Sequence, residues 1–331
     1  MQRTTIVSCV AAIVLGSGAV PAVAADFNLR LASFATEAST WGRGQTEFAK
    51  QVKELTKGRV EVQIFNNSSL GSNREATELA KLGSVDFVVS GVSNATRYAP
   101  QLNAVLLPFI WKDRATMFSV LDGPTGAKLS GLLESSNLRI VGWWDNGFRH
   151  VSNSKRPIAK PEDIQGLKLR TLPSNVHVAF FKKLGAIPTP MDWSEVMPAL
   201  KQGVIDGQEN PPAVVHSFRV FEVQKFYSLT GHVNEPITLV MSELTRKKLP
   251  ADLTAAIDQA AARATAAQRV GNAEEEAKQM TEIRQRMQVN DVPAATMAAF
   301  RTVALDVYKD AYASMGPGAE AIVAEIVKLN K

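Results

Sequence analysis

Arg170 is the residue whose type and position most directly predict chemistry. It lies in a predicted strand over residues 167–172, and Pro173, Ser174 and Asn175 then begin a predicted helix. A guanidinium group binds a carboxylate through two parallel hydrogen bonds, and the first turn of a helix offers unpaired N–H groups and a positive dipole end. The pattern predicts an anion site at the carboxyl edge of a sheet. From position alone, a structural ion pair at Arg170 is equally open.

A second segment that could carry chemistry runs from Gly185 to Pro212. Ser194 is predicted to cap a helix with apolar positions Val196 and Leu200, and Gly203 fits the left-handed residue that follows a helix. The polar run Asp-Gly-Gln-Glu-Asn, residues 206–210, then precedes two prolines. Polar groups at the end of a buried strand lie where open α/β sheets bind ligands. An ordinary solvated loop is an equally open interpretation.

These groups need a scaffold that brings strand ends together, and the surrounding sequence predicts one. Short apolar runs alternate with amphipathic stretches both before and after Leu138. The predicted elements are strand 29–34, helix 41–56, strand 60–65, helix 74–81 and strand 86–90, then strand 167–172, helix 176–184 and the helix that begins at 194. Such alternation predicts largely parallel sheets. Since a chain of about 300 residues can build two cores, we predict two α/β domains.

The stretch after Pro250 predicts one very long helix, over residues 251–288. It contains no proline, is rich in Ala, Glu, Gln, Lys and Arg, and is interrupted by Gly271, where a kink is expected. A coiled-coil partner helix is the alternative. Because the apolar face is rich in alanine and lacks a sustained heptad, packing on the same chain is favoured.

The amino terminus is predicted to be a secretory signal peptide. Residues 1–25 carry Arg3, an apolar segment and the small residues Ala22 to Ala25, which predicts cleavage near Ala24 or Ala25. Cys9, the one cysteine of the 331 residues, would leave with the leader. Loss of Arg3 changes the formal charge from +5 to +4. With no long basic run, this mild charge disfavours nucleic-acid binding.

Enzyme motifs are weak in this sequence. Ser152 to Lys155 fits Ser-x-x-Lys, but the motifs that accompany it in such enzymes are absent. The four histidines form no zinc spacing. We therefore predict no catalytic residues, no metal and no cofactor, and keep an exported hydrolase as the alternative.

Five fragments occur together in an order typical of one protein family. They are SSLGSNREATELAKLGSVDF from Ser68, LLPFIW from Leu106, WDNGFRHVSNSKRPI from Trp144, DIQGLKLR from Asp163, and the segment from Gly185 to Pro212. The chain closely resembles the substrate-binding proteins of TRAP (tripartite ATP-independent periplasmic) transporters over nearly its whole length after the leader. An ABC-importer receptor is the alternative, but the long helix and the Gln-Glu-Asn-Pro run disfavour it.

The resemblance implies a two-lobed α/β binding protein with a ligand cleft between domains and a long bracing helix. We expect lobe I to contain residues 26–147 and 236–275, and lobe II residues 148–235 and 276–331, with the long helix crossing both. The implied protein is a monomeric periplasmic receptor. It would bind a small organic acid and deliver it to the membrane subunits of a TRAP transporter.

The resemblance also assigns roles to individual residues. Arg170 matches the main carboxylate clamp, Asn210 matches an asparagine that donates to the same carboxylate, and Arg149 matches a second ligand-facing arginine. For Arg149 a structural ion pair with Asp145 or Glu209 is the alternative. The remaining candidate ligand contacts are less specific: Trp193, Phe34, Glu75, Asn94 and His216.

The identity of the acid is left open by the sequence. Sugar acids, dicarboxylates, keto acids, aromatic acids and sulfonates are all compatible with an arginine clamp. Phe34 follows Ala32 and Ser33 where many sugar-acid receptors of the family carry a polar group. This departure argues against a highly hydroxylated ligand.

Overall fold

The computed structural model describes residues 25–330, so the predicted leader lies outside the described residues except for Ala25. The strands are β1 (Phe27–Ser33), β2 (Val60–Phe65), β3 (Phe87–Gly91), β4 (Leu138–Trp144), β5 (Phe148–Asn153), β6 (Lys168–Thr171), β7 (Ile187–Pro190), β8 (Gly207–Asn210), β9 (Phe226–Asn234), β10 (Ile237–Ser242) and β11 (Gln288–Asp291). The α-helices are α1 (Thr40–Leu55), α2 (Asn73–Lys81), α3 (Arg114–Leu121), α4 (Pro124–Gly131), α5 (Asn175–Lys183), α6 (Trp193–Lys201), α7 (Pro212–Ser217), α8 (Glu243–Lys248), α9 (Ala251–Arg286), α10 (Ala294–Met315) and α11 (Ala319–Leu329).

The strands form two sheets, which confirms the predicted two-lobed α/β fold. The first sheet has the order β2-β1-β3-β10-β4, and the second has the order β11-β9-β5-β8-β6-β7. Each sheet mixes parallel pairs with antiparallel ones, such as β10 with β3 and β5 with β8. We call the first sheet with its helices the first lobe, and the second sheet with its helices the second lobe.

The chain crosses between the lobes next to strand ends. One crossover joins β4 to β5 through Asp145, Asn146 and Gly147, and another joins β9 to β10 through Glu235 and Pro236. A third is made by α9, after which β11 joins the second sheet. The crossovers place polar residues between the lobes.

The predicted long helix is confirmed as α9, which runs for 36 residues, and Gly271 does not interrupt it. It packs against α1 and β4 of the first lobe and against α7 and β11 of the second. Its buried residues include the amides Gln268 and Asn272. The Gln268 side chain pairs with the Asp145 backbone N–H and C=O at 2.8 and 2.9 Å, and Asn272 Nδ2 donates to Asp145 Oδ2 at 2.7 Å. Helix α9 thus anchors the first crossover and packs on its own chain.

The core of the first lobe explains why α1 forms where the pattern predicted it. Trp41, Phe48 and Val52 recur on one face of α1 and are fully buried. Phe48 contacts Phe87 of β3 edge to face, with 5.0 Å between the ring centroids. Burial of such large side chains supplies most of the driving force for this packing.

Helix α6 begins with a different cap from the predicted one. Asp192 is the N-cap and forms a capping box with Glu195, so the prediction of Ser194 as the cap is wrong. Asp192 Oδ1 accepts from Ser194 N, and Asp192 N donates to Glu195 Oε2, which completes the box. Ser194 has a methionine three positions later and cannot form such a box. The end of the helix is as predicted, because Gly203 has φ +70° and Val204 N bonds Ala199 O at 3.0 Å.

The sequence allows two interpretations of the polar run 206–210, a ligand-facing segment and a solvated loop. Residues Gly207–Asn210 form the buried strand β8, paired with β5 and β6. Of the two apolar residues that precede this strand, Ile205 is buried and Val204 is 55% exposed.

The predicted lobe boundaries remain a prediction. The strands of each sheet fall within the ranges expected for one lobe. Helix α11, expected in lobe II, packs instead against α3, α4 and the 3₁₀ segment Pro100–Leu106, all of the first lobe. Over residues 25–330, no helix combines the length and apolar character needed to cross a membrane.

Candidate functional site

A cavity that is open to solvent lies between the two lobes, and the space free of protein atoms is about 430 Å³ when its open mouth is included. Its walls come from the ends of β3, β6 and β8, both strand crossovers, and the starts of α2, α6 and α7. The lining residues are Phe34, Asn73, Gly91, Ser93, Asn94, Asn146, Arg149, Arg170, Leu172, Pro173, Trp193, Asn210, Val214, Glu235 and Ile237. The structure therefore brings together six of the eight predicted ligand contacts.

Arg170 is buried on β6 with its guanidinium group in this cavity. Its Nε and Nη2 donate to Met191 O at 3.1 and 2.8 Å, and its Cζ lies 5.8 Å from the Trp193 ring centroid. Within residues 25–330, no carboxylate lies within 4 Å of its nitrogens to form an ion pair. Burial, together with the charge of Arg149, lowers the pKa of Arg170 to about 10. Arg170 is thus a buried cation without a counter-ion of its own, and an incoming anion would supply one.

Arg149 occupies the same cavity but is already paired. Its Nε and Nη2 bind the two Glu209 carboxylate oxygens at 2.6 and 2.8 Å, and its Nη1 binds Glu235 Oε2 at 3.1 Å. Burial alone would lower the pKa of Arg149, but the charges of Glu209 and Glu235 outweigh it and raise the pKa. The structural pair with Glu209 is therefore present, and Asp145 instead pairs with Arg114 at 3.3 Å.

Asn210 ends β8 beside this pair. Its Nδ2 donates to Gln208 Oε1, and its backbone oxygen accepts from Tyr227 Oη at 2.9 Å. Helix α5 begins nearby with Ser174 as its N-cap, but the Ser174 hydroxyl donates to Asn103 Oδ1 at 2.7 Å instead of capping. The first amides of α5 consequently have no side-chain cap, and Pro173, just before this turn, lines the cavity.

The first lobe and the two strand crossovers contribute polar groups that the sequence patterns did not predict. Asn73, Ser93, Asn146 and Glu235 line the cavity beside the predicted Asn94. Ser93 Oγ and Asn146 Oδ1 are buried and have no hydrogen-bond partner among the described residues. The signal was available, because Asn73 and Asn146 lie inside the fragments that carry the resemblance and Ser93 precedes Asn94. These groups can bond a ligand's hydroxyls, which weakens the argument drawn from Phe34.

Aromatic side chains form the apolar wall. The ring of Phe218 contacts Trp193 edge to face at 4.9 Å and stacks on Phe34 at 6.2 Å between centroids. Phe34 follows β1 of the first lobe, whereas Trp193 and Phe218 belong to the second. The contact therefore joins the two lobes beside the cavity.

Two predicted ligand contacts lie elsewhere. Glu75 completes the capping box of α2, where its Oε2 accepts from Ser72 N at 2.8 Å, and this bond lowers the pKa of Glu75. His216 faces α9, and its Nε2 lies 2.9 Å from Glu282 Oε2. Neither residue lines the cavity. Local partners occupy both side chains, and their roles as ligand contacts stay predictions.

Comparisons with known proteins agree with this architecture. Residues 31–315 match the DctP family, described as bacterial extracellular solute-binding protein, family 7. A solute-binding protein of Verminephrobacter eiseniae is 38% identical over 261 residues, which cover 79% of this chain and 78% of that protein. The TRAP periplasmic solute-binding protein of Polaromonas sp. JS666, bound to D-erythronate, is 34% identical with a TM-score of 0.86, covering 91% of this chain and 98% of that chain. Its counterpart from Sulfitobacter sp. NAS-14.1, with bound β-D-galacturonate, is 33% identical with a TM-score of 0.85, covering 91% and 98%.

The sequence match spans both sheets, and the structural match includes solved TRAP receptors that hold an acid. These findings agree with an interlobe cavity that contains a buried arginine. The chain therefore belongs to family 7 of the bacterial extracellular solute-binding proteins, the periplasmic solute receptors of TRAP transporters.

Proposed function

We propose that this protein binds a small hydroxylated carboxylate, such as an aldonate or uronate, and delivers it to the membrane subunits of a TRAP transporter. The observation that carries the proposal is Arg170, a buried guanidinium group that faces a cavity and lacks an acidic partner among the described residues. A buried charge without a partner is costly, so a bound carboxylate would relieve that cost. Asn210 and the uncapped start of α5 offer further donors to the same anion.

Hydroxyl groups of the ligand would meet the opposite wall. Ser93 Oγ and Asn146 Oδ1 are buried polar atoms without partners, and buried polar groups are normally hydrogen-bonded. Asn73 and Asn94 add amides on the same side. The acids held by the Polaromonas and Sulfitobacter relatives, D-erythronate and β-D-galacturonate, combine one carboxylate with several hydroxyls. This composition agrees with the cavity.

The work of this protein is binding, not bond-making. The cavity lining contains one serine, Ser93, and no cysteine, and Ser93 Oγ has no hydrogen-bond partner among the described residues, so no base activates it as a nucleophile. We further propose that the receptor acts as a monomer, has no affinity for nucleic acid, and loses residues 1–24 or 1–25 on export to the periplasm. Recovery of a bound acid unchanged after prolonged incubation would separate this function from that of an exported hydrolase.

The test is calorimetry of protein purified from the periplasm without refolding, first with any acid identified in it by mass spectrometry and then with D-erythronate and galacturonate. We predict that Arg170→Ala abolishes measurable binding and that Arg170→Lys leaves a weak remnant, because lysine keeps the charge but lacks the planar fork. Loss of such a pair costs about 2 to 5 kcal/mol. Arg219→Ala is the matched control, since Arg219 is 62% exposed outside the cavity. Affinity like that of the wild type in Arg170→Ala would remove Arg170 from the site.

A further inference from the structure

Glu235 is an acid in a cavity whose ligand is an acid. It lies on the crossover between β9 and β10, is 2% exposed, and lines the cavity. Its Oε1 accepts from Ser93 N of the first lobe at 3.2 Å, and its Oε2 accepts from Arg149 Nη1 of the second at 3.1 Å. The carboxylate is therefore fixed at one place in the wall and cannot turn away without losing bonds to both lobes.

The backbone of β3 leaves room for this carboxylate. A Cβ atom at Gly91 would collide with Glu235 Oε1 and would lie 2.8 Å from Glu235 Cδ. Gly91 has an ordinary extended backbone, with φ −60°, so a left-handed conformation does not explain the glycine. The close approach of the Glu235 carboxylate explains why residue 91 is a glycine. The same contact holds the carboxylate against the part of the cavity wall that Gly91 forms.

The fixed charges around the cavity balance before a ligand binds, with the two arginines Arg149 and Arg170 against the two glutamates Glu209 and Glu235. Arg149 is shared between Glu209, which it binds through two nitrogens, and Glu235. Arg170 has no acidic partner within residues 25–330 and can neutralise one ligand carboxylate. A second carboxylate on the same ligand would find Arg149 already paired and would lie in a buried space beside Glu235. Like charges in such a setting repel strongly.

We propose that Glu235 is a specificity-determining residue that admits acids with one carboxylate and disfavours acids with two. The inference rests on the proposed function, since it assumes that Arg170 holds the first carboxylate. A hydroxyl group at the far end of the ligand can donate to Glu235, whereas a carboxylate there cannot. Selection by a fixed repulsive group is a common route to specificity.

The test uses pairs of acids that keep the same carbon chain and differ at one end. D-erythronate is compared with meso-tartrate, and galactonate with galactarate; in each pair a terminal CH₂OH becomes a carboxylate. We expect wild-type protein to bind the monoacid at least about tenfold more tightly in calorimetry. Glu235→Gln keeps the shape of the side chain and can still accept from Ser93 N. In this variant we expect the ratio of monoacid affinity to diacid affinity to fall at least about threefold. Glu222→Gln, at an acid whose side chain is 48% exposed and pairs with Arg219, is the charge-matched control.

The outcomes separate this inference from the proposed function. Equal or tighter binding of the diacid by wild-type protein overturns the role of Glu235 and leaves receptor function intact, and this result does not depend on the variant folding. An unchanged ratio in folded Glu235→Gln, or an equal change in Glu222→Gln, also overturns it. If no carboxylate binds, the proposed function fails and this inference fails with it.

Discussion

Arg170 is held in the folded protein as a buried cation with two bonds to a neutral carbonyl, Met191 O. Burial lowers the pKa of Arg170 to about 10, so the folded state disfavours the charged form relative to the unfolded state. The resulting loss of stability is fully present below pH 10 and disappears as the pH rises towards the unfolded pKa. The residue thus favours ligand binding at the expense of stability.

This trade-off predicts that Arg170→Met raises the stability of the ligand-free protein at pH 7 while it removes binding. Each unit of pKa shift corresponds to about 1.4 kcal/mol, and the loss of two hydrogen bonds offsets part of the gain. We expect the free energy of unfolding in urea to increase by about 1 to 3 kcal/mol. A decrease would mean that the Met191 bonds outweigh the cost of the buried charge.

Trp193 gives an optical test of its place in the cavity wall. It is 9% exposed, lies close to Arg170, and packs on Phe218, so an anion at Arg170 would change the field at its indole. We expect ligand to shift tryptophan emission in wild-type protein and the shift to shrink in Trp193→Phe. Because the chain has five tryptophans, an unchanged response in the variant would assign the signal to another one.

Sequence patterns predicted those cavity residues that lie at the end of a strand or within a motif. Arg170 lies one residue before the end of β6 and Asn210 ends β8, and the ends of these parallel strands meet at one edge of the sheet. The pairing of Glu235 with Ser93 could not be predicted in this way. Their contact joins residues 142 positions apart, and the bond between Arg149 and Glu235 spans 86. Such partners follow from how the crossovers bring the lobes together, and no local pattern encodes that.

At the scale of elements, the start of α6 both caps its own helix and contacts α2 of the first lobe. Asp192 forms the capping box of α6, and its Oδ2 also accepts from Arg74 N of α2 at 3.3 Å, across the cleft. Ser194, the residue that propensity favoured as the cap, instead donates to Asp192 Oδ1 from its N and Oγ atoms. Aspartate and serine are comparable caps, so the glutamate three positions after Asp192 decides between them.

We predict that Asp192→Ala destabilises the protein by about 1 kcal/mol through loss of the cap and also weakens ligand affinity through loss of the contact with α2. Ser194→Ala is the control, and we expect it to change stability by less than about 0.5 kcal/mol. Thermal unfolding with and without ligand measures both effects. If Ser194→Ala proved the more harmful change, the cap assignment would be wrong.

Strand β8 is the element that pattern analysis could not resolve. Its residues, Gly207 to Asn210, show no apolar alternation, yet all four are buried. They form a strand because β5 and β6 lie on either side and supply hydrogen-bond partners. Helix α9 is the opposite case, since composition alone predicts a helix. The partners of its buried amides, Gln268 and Asn272, depend on tertiary structure.

At the scale of the whole molecule, the two lobes touch on both sides of the cavity. Ser174 Oγ of the second lobe donates to Asn103 Oδ1 of the first, and Phe34 stacks on Phe218. Arg74 N also donates to Asp192 Oδ2 across the cleft at 3.3 Å. We expect this arrangement to be in balance with a more open one.

We predict that ligand shifts this balance towards closure. An acid held by Arg170 in the second lobe and by Asn73 and Ser93 in the first favours the arrangement in which the lobes meet. The radius of gyration from small-angle X-ray scattering should fall when a binding acid is added. In Arg170→Ala, the same acid should leave the radius unchanged.

Helix α9 must accommodate any such motion, because it packs on both lobes. We expect α9 to bend at Gly271, which lacks a side chain that favours helix and lies one residue before Asn272, the residue that binds the first crossover. A Cβ atom there would meet nothing within 4 Å, so Gly271→Ala should stabilise α9 by roughly 0.5 to 1 kcal/mol without a clash. We expect ligand to alter hydrogen exchange around residue 271 in the wild-type protein and to alter it less in the variant. If saturating ligand changes neither this exchange nor the scattering radius, the lobes do not hinge and the receptor binds its acid as a rigid body.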